Sequence, residues 1–218
     1  MTNFKIDHFV FAAKTLSEGS KAIKNFLNED LSDVNVHETM GTHNRVTSIG
    51  SCYLEVISIN PKNKKVNNTW FNLSDKNYRE KILKIPKLIS FVISSEELSD
   101  SIFFEKEFRV SRSNYKWLFK KPNLCYLKKN NFKNVNLFPS MINWQSVSPL
   151  NEMKKSSYVF HSLEIALNRN HILLYDFLIS LNLKEKILFD FDNRLSDEKL
   201  SLKLTLKSST GDRYILIS

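Results

Sequence analysis

A chain of 218 residues suits one large domain or two small ones, and 42% hydrophobic with 25% charged residues is the composition of a globular protein that folds alone around a substantial core. Lys and Arg number 32 against 23 Asp and Glu, a net charge of +9 that favours an anionic partner but also follows from lysines scattered among Asn, Ile and Phe at neutral surface positions. Cys52 and Cys125 stand too far apart for a disulfide framework or a Cys-based zinc site, the start lacks the apolar core of a signal peptide, and no run of about 18 apolar residues could span a bilayer, so a reducing cytoplasm is the expected location.

Residues 5 to 12 alternate as a strand, with Ile6, His8, Val10 and Ala12 on one face and Asp7, Phe9 and Phe11 on the other. Leu16, Ile23, Phe26 and Leu27 then recur at helical spacing behind Thr15 or Ser17 as the N-cap. Two strands over 43 to 49 and 52 to 59 follow, joined across Gly50-Ser51, a pair suited to a tight hairpin. Residues 61 to 85 are rich in Asn and Lys and contain Pro61. They read as a linker or long loop that Trp70 and Phe71 pin to the core.

After Pro86 the text repeats itself. Residues 9 to 18 align with 91 to 100 apart from a one-residue gap, and both lead from an apolar strand through a polar turn to an amphipathic helix. Further strands are expected near 115 to 120, 124 to 128 and 138 to 147. A third unit places a strand at 162 to 167, a helix at 172 to 181, and a hairpin of 199 to 206 with 213 to 217 turning at Gly211. The expected fold is α+β: a first module over 1–60, a linker over 61–85, a second module over 86–148, and a strand-helix-hairpin unit over 158–218 on the same body.

Two clusters carry chemistry, His37-Glu-Thr-Met-Gly41-Thr42-His43-Asn44-Arg45 and Tyr53-Leu54-Glu55. His8 on the first strand and Glu55 on the last strand of the same block could bring an imidazole and a carboxylate onto one metal. His43 and Asn44 offer a donor and acceptor pair, Arg45 a fixed positive charge, and His37 a group that titrates near physiological pH, an array that suits a carboxylate or an enolate. The same Thr, His and Asn could instead bond the backbone of a turn. Tyr53 and Trp144 could form an apolar wall, His8, His43 and Glu55 are expected to face one interior cavity, and His171 is expected to start a helix and face solvent. His161 and Glu164 lie three apart in a strand, on opposite faces.

Phosphate-loop, nucleophile-elbow and Cys-His patterns are absent from the sequence, which argues against nucleotide-dependent and acyl-enzyme chemistry. The stretch Tyr115 to Lys121, with Tyr126, Lys128, Lys129, Phe132 and Lys133, interleaves bases with aromatics as single-strand nucleic-acid platforms do. Strand alternation with Tyr115, Trp117 and Phe119 inward and Lys116 and Lys120 outward is the simpler account, so nucleic acid is not the expected partner.

Asp7-His8 opening a strand, the His37-x-x-x-Gly41-Thr42-His43-Asn44 run, Tyr53-Leu54-Glu55-Val56-Ile57, and Pro139-Ser-Met-Ile142-Asn143-Trp144 resemble the glyoxalase-like domain family of the vicinal oxygen chelate superfamily. The resemblance implies paired βαβββ modules curved round a central pocket, a fold used for metal-dependent lyase, isomerase, ring-cleaving dioxygenase and antibiotic-modifying chemistry. It implies one metal ligand from the first and one from the last strand of each module. Here His8 and Glu55 match, whereas Ser90 and Asn143 in the second module are poor ligands, so a divalent metal is conceivable but its ligand set is incomplete.

The functional expectation is a protein that binds a small oxygen-bearing, anionic metabolite, with lyase, isomerase or dioxygenase-type activity at a degenerate metal site. His43, Glu55 and His37 are the expected catalytic groups, and Thr42, Asn44, Arg45, Tyr53, Asn143 and Trp144 the expected substrate contacts. The alternative is a non-catalytic binding or sequestering protein using the same cavity. Expected partners are a small-molecule ligand and a second copy of the chain as a homodimer, with no membrane.

Overall fold

The computed structural model describes residues 3–63, 69–132, 134–196 and 200–217. Lys133 of the basic-aromatic stretch and residue 199 of the expected hairpin lie outside them. The first module is β1 (Lys5–Ala12), α1 (Leu16–Leu27), β2 (Asn35–His37), β3 (Thr42–Ser48) and β4 (Tyr53–Ile59). After α2 (Lys76–Ile82) the second supplies β5 (Lys87–Ser94), β6 (Phe108–Arg112), β7 (Tyr115–Lys120), α3 (Leu124–Lys129) and β8 (Ser140–Trp144). The remainder is β9 (Tyr158–Leu167), α4 (Ile172–Ser180), β10 (Ile187–Phe191), β11 (Ser201–Ser208) and β12 (Arg213–Ile217).

The fold is α+β, with paired modules in one eight-stranded sheet of order β2-β3-β4-β1-β5-β8-β7-β6. Each half has a parallel inner pair, β1 with β4 and β5 with β8, and antiparallel outer strands. The halves meet at the antiparallel β1–β5 seam. There Phe9 pairs with Phe91, His8 with Val92 and Val10 with Ser90, so the two copies of the repeat exchange about the Phe9–Phe91 pair.

Both seam strands are bulged, β1 between Ile6 and His8 and β5 opposite Val10 and Phe11. A bulge puts one extra residue into a strand and disturbs the alternation of faces. Ile6 therefore joins Phe9 and Phe11 in the core instead of sharing the face of His8, and Asp7 is freed to turn its carboxylate onto the His8 ring. Strict alternation could not foresee this.

One face of the large sheet, with Phe9, Leu54, Val56 and Phe91, packs in a single core with α1, α4 and a four-stranded second sheet of order β10-β9-β11-β12. Phe160 N–H of β9 donates to Ile49 O at the β3–β4 turn (2.8 Å), and Gly50 in that turn takes φ +86 against Val159. The opposite face carries a second apolar cluster built round Trp70, with Val10, Val92, Ile57 and Ile142. Trp70 is 4% exposed, so the described part of the segment read as a linker, from residue 69 on, packs back onto the sheet, and Asp75 caps a short helix in it by accepting from Tyr78 N–H.

Other expectations change for local reasons. Residues 124 to 128 are helix instead of strand, because Asn123 Oδ1 accepts from Tyr126 N–H as an N-cap and Leu127 is fully buried. The helix expected after β5 does not form. Ser95 Oγ bonds both N–H and O of Glu97, a local turn that competes with a helical start, and Lys120 Nζ holds the segment by donating to Ser99 O (3.0 Å) and Asp100 Oδ1 (2.9 Å). Lys120 does point away from the cavity, yet this covering leaves it only 2% exposed. His171 is buried rather than solvent-facing, its Nδ1 2.7 Å from Asn168 Oδ1 and its ring on Phe132. Among the described residues no helix is long and apolar enough to cross a membrane.

Gly19 lets α1 lie directly on β4. Alanine there should gain roughly 0.5–1 kcal/mol of helix propensity, but its Cβ would stand 2.6 Å from Val56 Cγ1 and 3.0 Å from Ala13 Cβ. Overpacking typically costs about 1–3 kcal/mol, so Gly19→Ala is expected to lower the unfolding free energy by about 1–2 kcal/mol net in urea denaturation. A raised midpoint would mean that the helix shifts freely.

Candidate functional site

On the face opposite α1 lies a cavity of about 530 Å³. Its polar end comes from β1, β3 and β4. Glu55, 5% exposed, receives a hydrogen bond on Oε1 from Asn44 Nδ2, and its Oε2 lies 3.6 Å from His8 Nε2. His8 Nδ1 lies 2.7 Å from Asp7 Oδ1, and Trp144 Nε1 donates to Asp7 Oδ2 at 2.8 Å. A carboxylate only accepts, so Asp7 places the ring hydrogen on Nδ1 and leaves Nε2 turned toward Glu55. The Tyr53 ring stacks on His8 at 4.6 Å. Burial, and then the Asp7 and Glu55 charges, hold that phenol protonated well above its ordinary range.

The other wall is aromatic and cationic. Trp70, Trp117, Phe119 and Trp144 line it, with Arg112 from the end of β6. Arg112 Nη1 donates to His37 Nε2 at 2.8 Å, and the far nitrogen, Nδ1, bonds Thr42 Oγ1 at 3.0 Å. Burial first, and then the adjacent Arg112 guanidinium, push His37 down to about 3. His37 is therefore a neutral acceptor that aims Arg112, and not the group titrating near physiological pH that the sequence suggested. Arg112 also sits 5.9 Å over the Tyr115 ring, whose hydroxyl donates to Glu152. Among the described residues no carboxylate pairs with Arg112. Asn44 Oδ1, next to Glu55, is buried without a hydrogen-bond partner among the described residues.

Of the residues singled out in the sequence, His8, His37, Asn44, Tyr53, Glu55 and Trp144 line this cavity. His43 and Arg45 do not. They alternate with Asn44 and Val46 on β3 and so take the opposite face, where His43 Nε2 meets Ser58 Oγ at 2.7 Å and Arg45 Nη1 donates to Ser32 O at 2.9 Å. The expectation that His43 joins His8 and Glu55 is corrected on that ground. Thr42 stands behind His37, Asn143 donates to Glu96 O, and His161 lies on β9, outside the cavity wall. The sequence reading missed Asp7 as the partner that joins two cavity side chains, His8 and Trp144, hidden by the bulge, and Arg112, at the end of the short strand Phe108–Arg112 that it did not place.

The metal fares poorly here. Val10 opposes Glu55 across β1–β4 and Val92 opposes Ser140 across β5–β8, so the register counterpart of Glu55 is Ser140 and not Asn143. The second module thus offers two neutral hydroxyls, Ser90 and Ser140. Among the described residues no three His, Cys, Asp or Glu side chains are grouped to hold one ion. One imidazole and one carboxylate do not make a zinc or iron site, which takes three or more protein ligands.

A family model described as a glyoxalase-like domain matches residues 6–170. No curated protein matches the chain. Among solved structures, a hypothetical protein from Staphylococcus aureus is similar with a TM-score of 0.65 at 11% identity, over 97% of this chain and 98% of that one. Methylmalonyl-CoA epimerase from Mycobacterium tuberculosis is similar with a TM-score of 0.44 at 9% identity, over 67% of this chain and 91% of that one. A hypothetical protein from Bacillus halodurans gives 0.41 at 11% identity, over 66% and 96%.

The His37 environment sets an acid limit on stability. Its pKa falls from 6.5 when unfolded to about 3 when folded, so below pH 6.5 the unfolded chain binds a proton that the folded chain refuses. Stability should fall as pH drops through that window, by at most ~1.4 kcal/mol per pH unit from this group. Urea unfolding of wild type and His37→Gln at neutral and mildly acidic pH checks it, and the variant is expected to lose this part of the slope.

Proposed function

The chain belongs to the glyoxalase-like domain family of the vicinal oxygen chelate superfamily, and from that premise we propose that it binds a small anionic, oxygen-bearing metabolite in the 530 Å³ cavity and shifts a proton on it. The observation that carries this reading is a buried carboxylate, Glu55, opening on the same cavity as a guanidinium with no carboxylate partner among the described residues, Arg112.

Arg112, aimed by neutral His37, takes the ligand carboxylate as a planar fork of donors. The aromatic wall of Trp117 and Trp144 covers the carbon skeleton and excludes water. Glu55, held at Oε1 by Asn44, removes a proton from the carbon next to a carbonyl. His8 Nε2, its tautomer fixed by Asp7, stands at hand to receive that proton or return it at another atom, completing an isomerisation. The unpaired Asn44 Oδ1 is an acceptor for a ligand hydroxyl. No step is assigned to a metal, because the grouped residues do not fit one.

A second reading is a binder without turnover, supported by Glu55, whose two oxygens already face Asn44 and His8. A thermal-shift screen of hydroxy and keto acids, followed by product analysis of the hits, separates the two. Arg112→Ala is expected to weaken an anionic hit by about tenfold or more, as for loss of a charge-assisted hydrogen bond. Glu55→Gln is expected to keep binding and abolish turnover. Hits recovered unchanged from wild type would leave the binder, and a panel without hits on the folded protein would overturn both.

A further inference from the structure

The symmetry of the seam has a second product. Ser90 and Ser140 occupy the positions of His8 and Glu55. The outer strands carry the same correspondence, since Asn44 opposes Ile57 on β3–β4 as Phe119 opposes Ile142 on β7–β8, and two residues further Lys121 takes the place of Val46. Ser90, Ser140, Phe119 and Lys121 line one separate cavity of about 140 Å³. It is the counterpart of the polar end of the main cavity, with imidazole and carboxylate exchanged for two hydroxyls and an ammonium. Trp70 and Phe71 stand in the wall between the two.

Two buried polar groups on residues that line this second cavity are left unused by the protein. Trp70 Nε1 and Thr69 Oγ1 are buried without a hydrogen-bond partner among the described residues, on residues each 4% exposed. Ser140 is 3% exposed, and its hydroxyl makes no hydrogen bond among the described residues. Ser90 Oγ reaches only Phe91 O, at 3.5 Å. Lys121 Nζ donates to Thr69 O at 3.3 Å and lies 5.2 Å over the Trp70 ring. A buried polar group left without a hydrogen bond is costly, and two beside one space are the mark of a guest that completes them.

The guest's charge follows from the donors. An indole N–H and an ammonium can only donate, and the hydroxyls are free to do so. Burial lowers the pKa of Lys121, and Glu105, exposed at the rim and the one carboxylate among the described residues of the lining, acts against that shift. The geometry points to a second, separate oxyanion site between Lys121, Trp70, Thr69 and Ser140, sized for a carboxylate or phosphate group rather than a whole metabolite. It does not depend on the proton-transfer reading of the main cavity.

The test follows the three indole N–H signals of the full chain in ¹H–¹⁵N spectra during titration with inorganic phosphate and, separately, acetate, at constant ionic strength set by chloride. The Trp70 signal is assigned by its loss in Trp70→Phe. It is expected to move saturably with one anion or both, and the anion that moves it identifies the oxyanion class. Lys121→Met should weaken the response by about tenfold or more and Ser140→Ala by about threefold. Arg112→Ala, which alters only the main cavity, should leave it unchanged. If Lys121→Met does not fold, Ser140→Ala and Thr69→Val carry the decision. The site is overturned if neither anion moves the Trp70 signal in the millimolar range, if the response survives all three cavity variants, or if Arg112→Ala abolishes it.

Discussion

The pairing of Phe9 with Phe91 is the contact on which the molecule turns. Both rings are fully buried, and each fixes the register of its own repeat against the other. A slip of one residue would reverse the faces of both strands and send His8 into the hydrocarbon core. Large rings on one face of the seam thus guarantee polar groups on the other. The bulges add the decisive detail. Without the extra residue at Asp7, the carboxylate that sets the His8 tautomer would point into the layer filled by Phe11 and Leu54.

Charge in the main cavity is arranged against first appearance. The histidine nearest the cationic wall is the uncharged one, because burial and a neighbouring guanidinium both oppose its protonation. It serves as a hydrogen-bond acceptor that spends no charge of its own, so the positive field of Arg112 is left for a ligand. At the opposite end Asp7 accepts from two side chains, those of His8 and Trp144. Its negative charge is absorbed locally, and at this end of the cavity Glu55 is the carboxylate in the wall.

The seam strand, α1 and the β3–β4 hairpin could be read from sequence because they follow simple periods with clear caps and turns. The internal repeat announced the pairing of halves, and residues such as His8, Glu55 and Asn44 followed from strand alternation and family likeness. What escaped was set by exceptions to periodicity. A bulge is invisible to a two-residue period, and so Asp7 was assigned to the wrong face. The helix expected after β5 lost to a serine turn and a buried lysine, neither of which hydrophobic spacing can weigh. His43 was misplaced by reading a motif as a unit, although neighbouring residues of a strand face opposite ways.

The backbone bond from Phe160 to Ile49 bears on how the cavity can respond to an occupant. It fastens the β3–β4 turn to the second sheet, while Gly50 leaves no slack against Val159. The strands bearing Asn44 and Glu55 are thereby braced from behind by a whole additional layer. The β6–β7 hairpin that carries Arg112 lies at the free edge of the sheet and is tied back through side chains, Arg112 to His37 and Tyr115 to Glu152. The cavity is a vice with one fixed jaw and one compliant jaw: Glu55 and Asn44 sit on the fixed side, and any adjustment of the cavity's width falls to the guanidinium side.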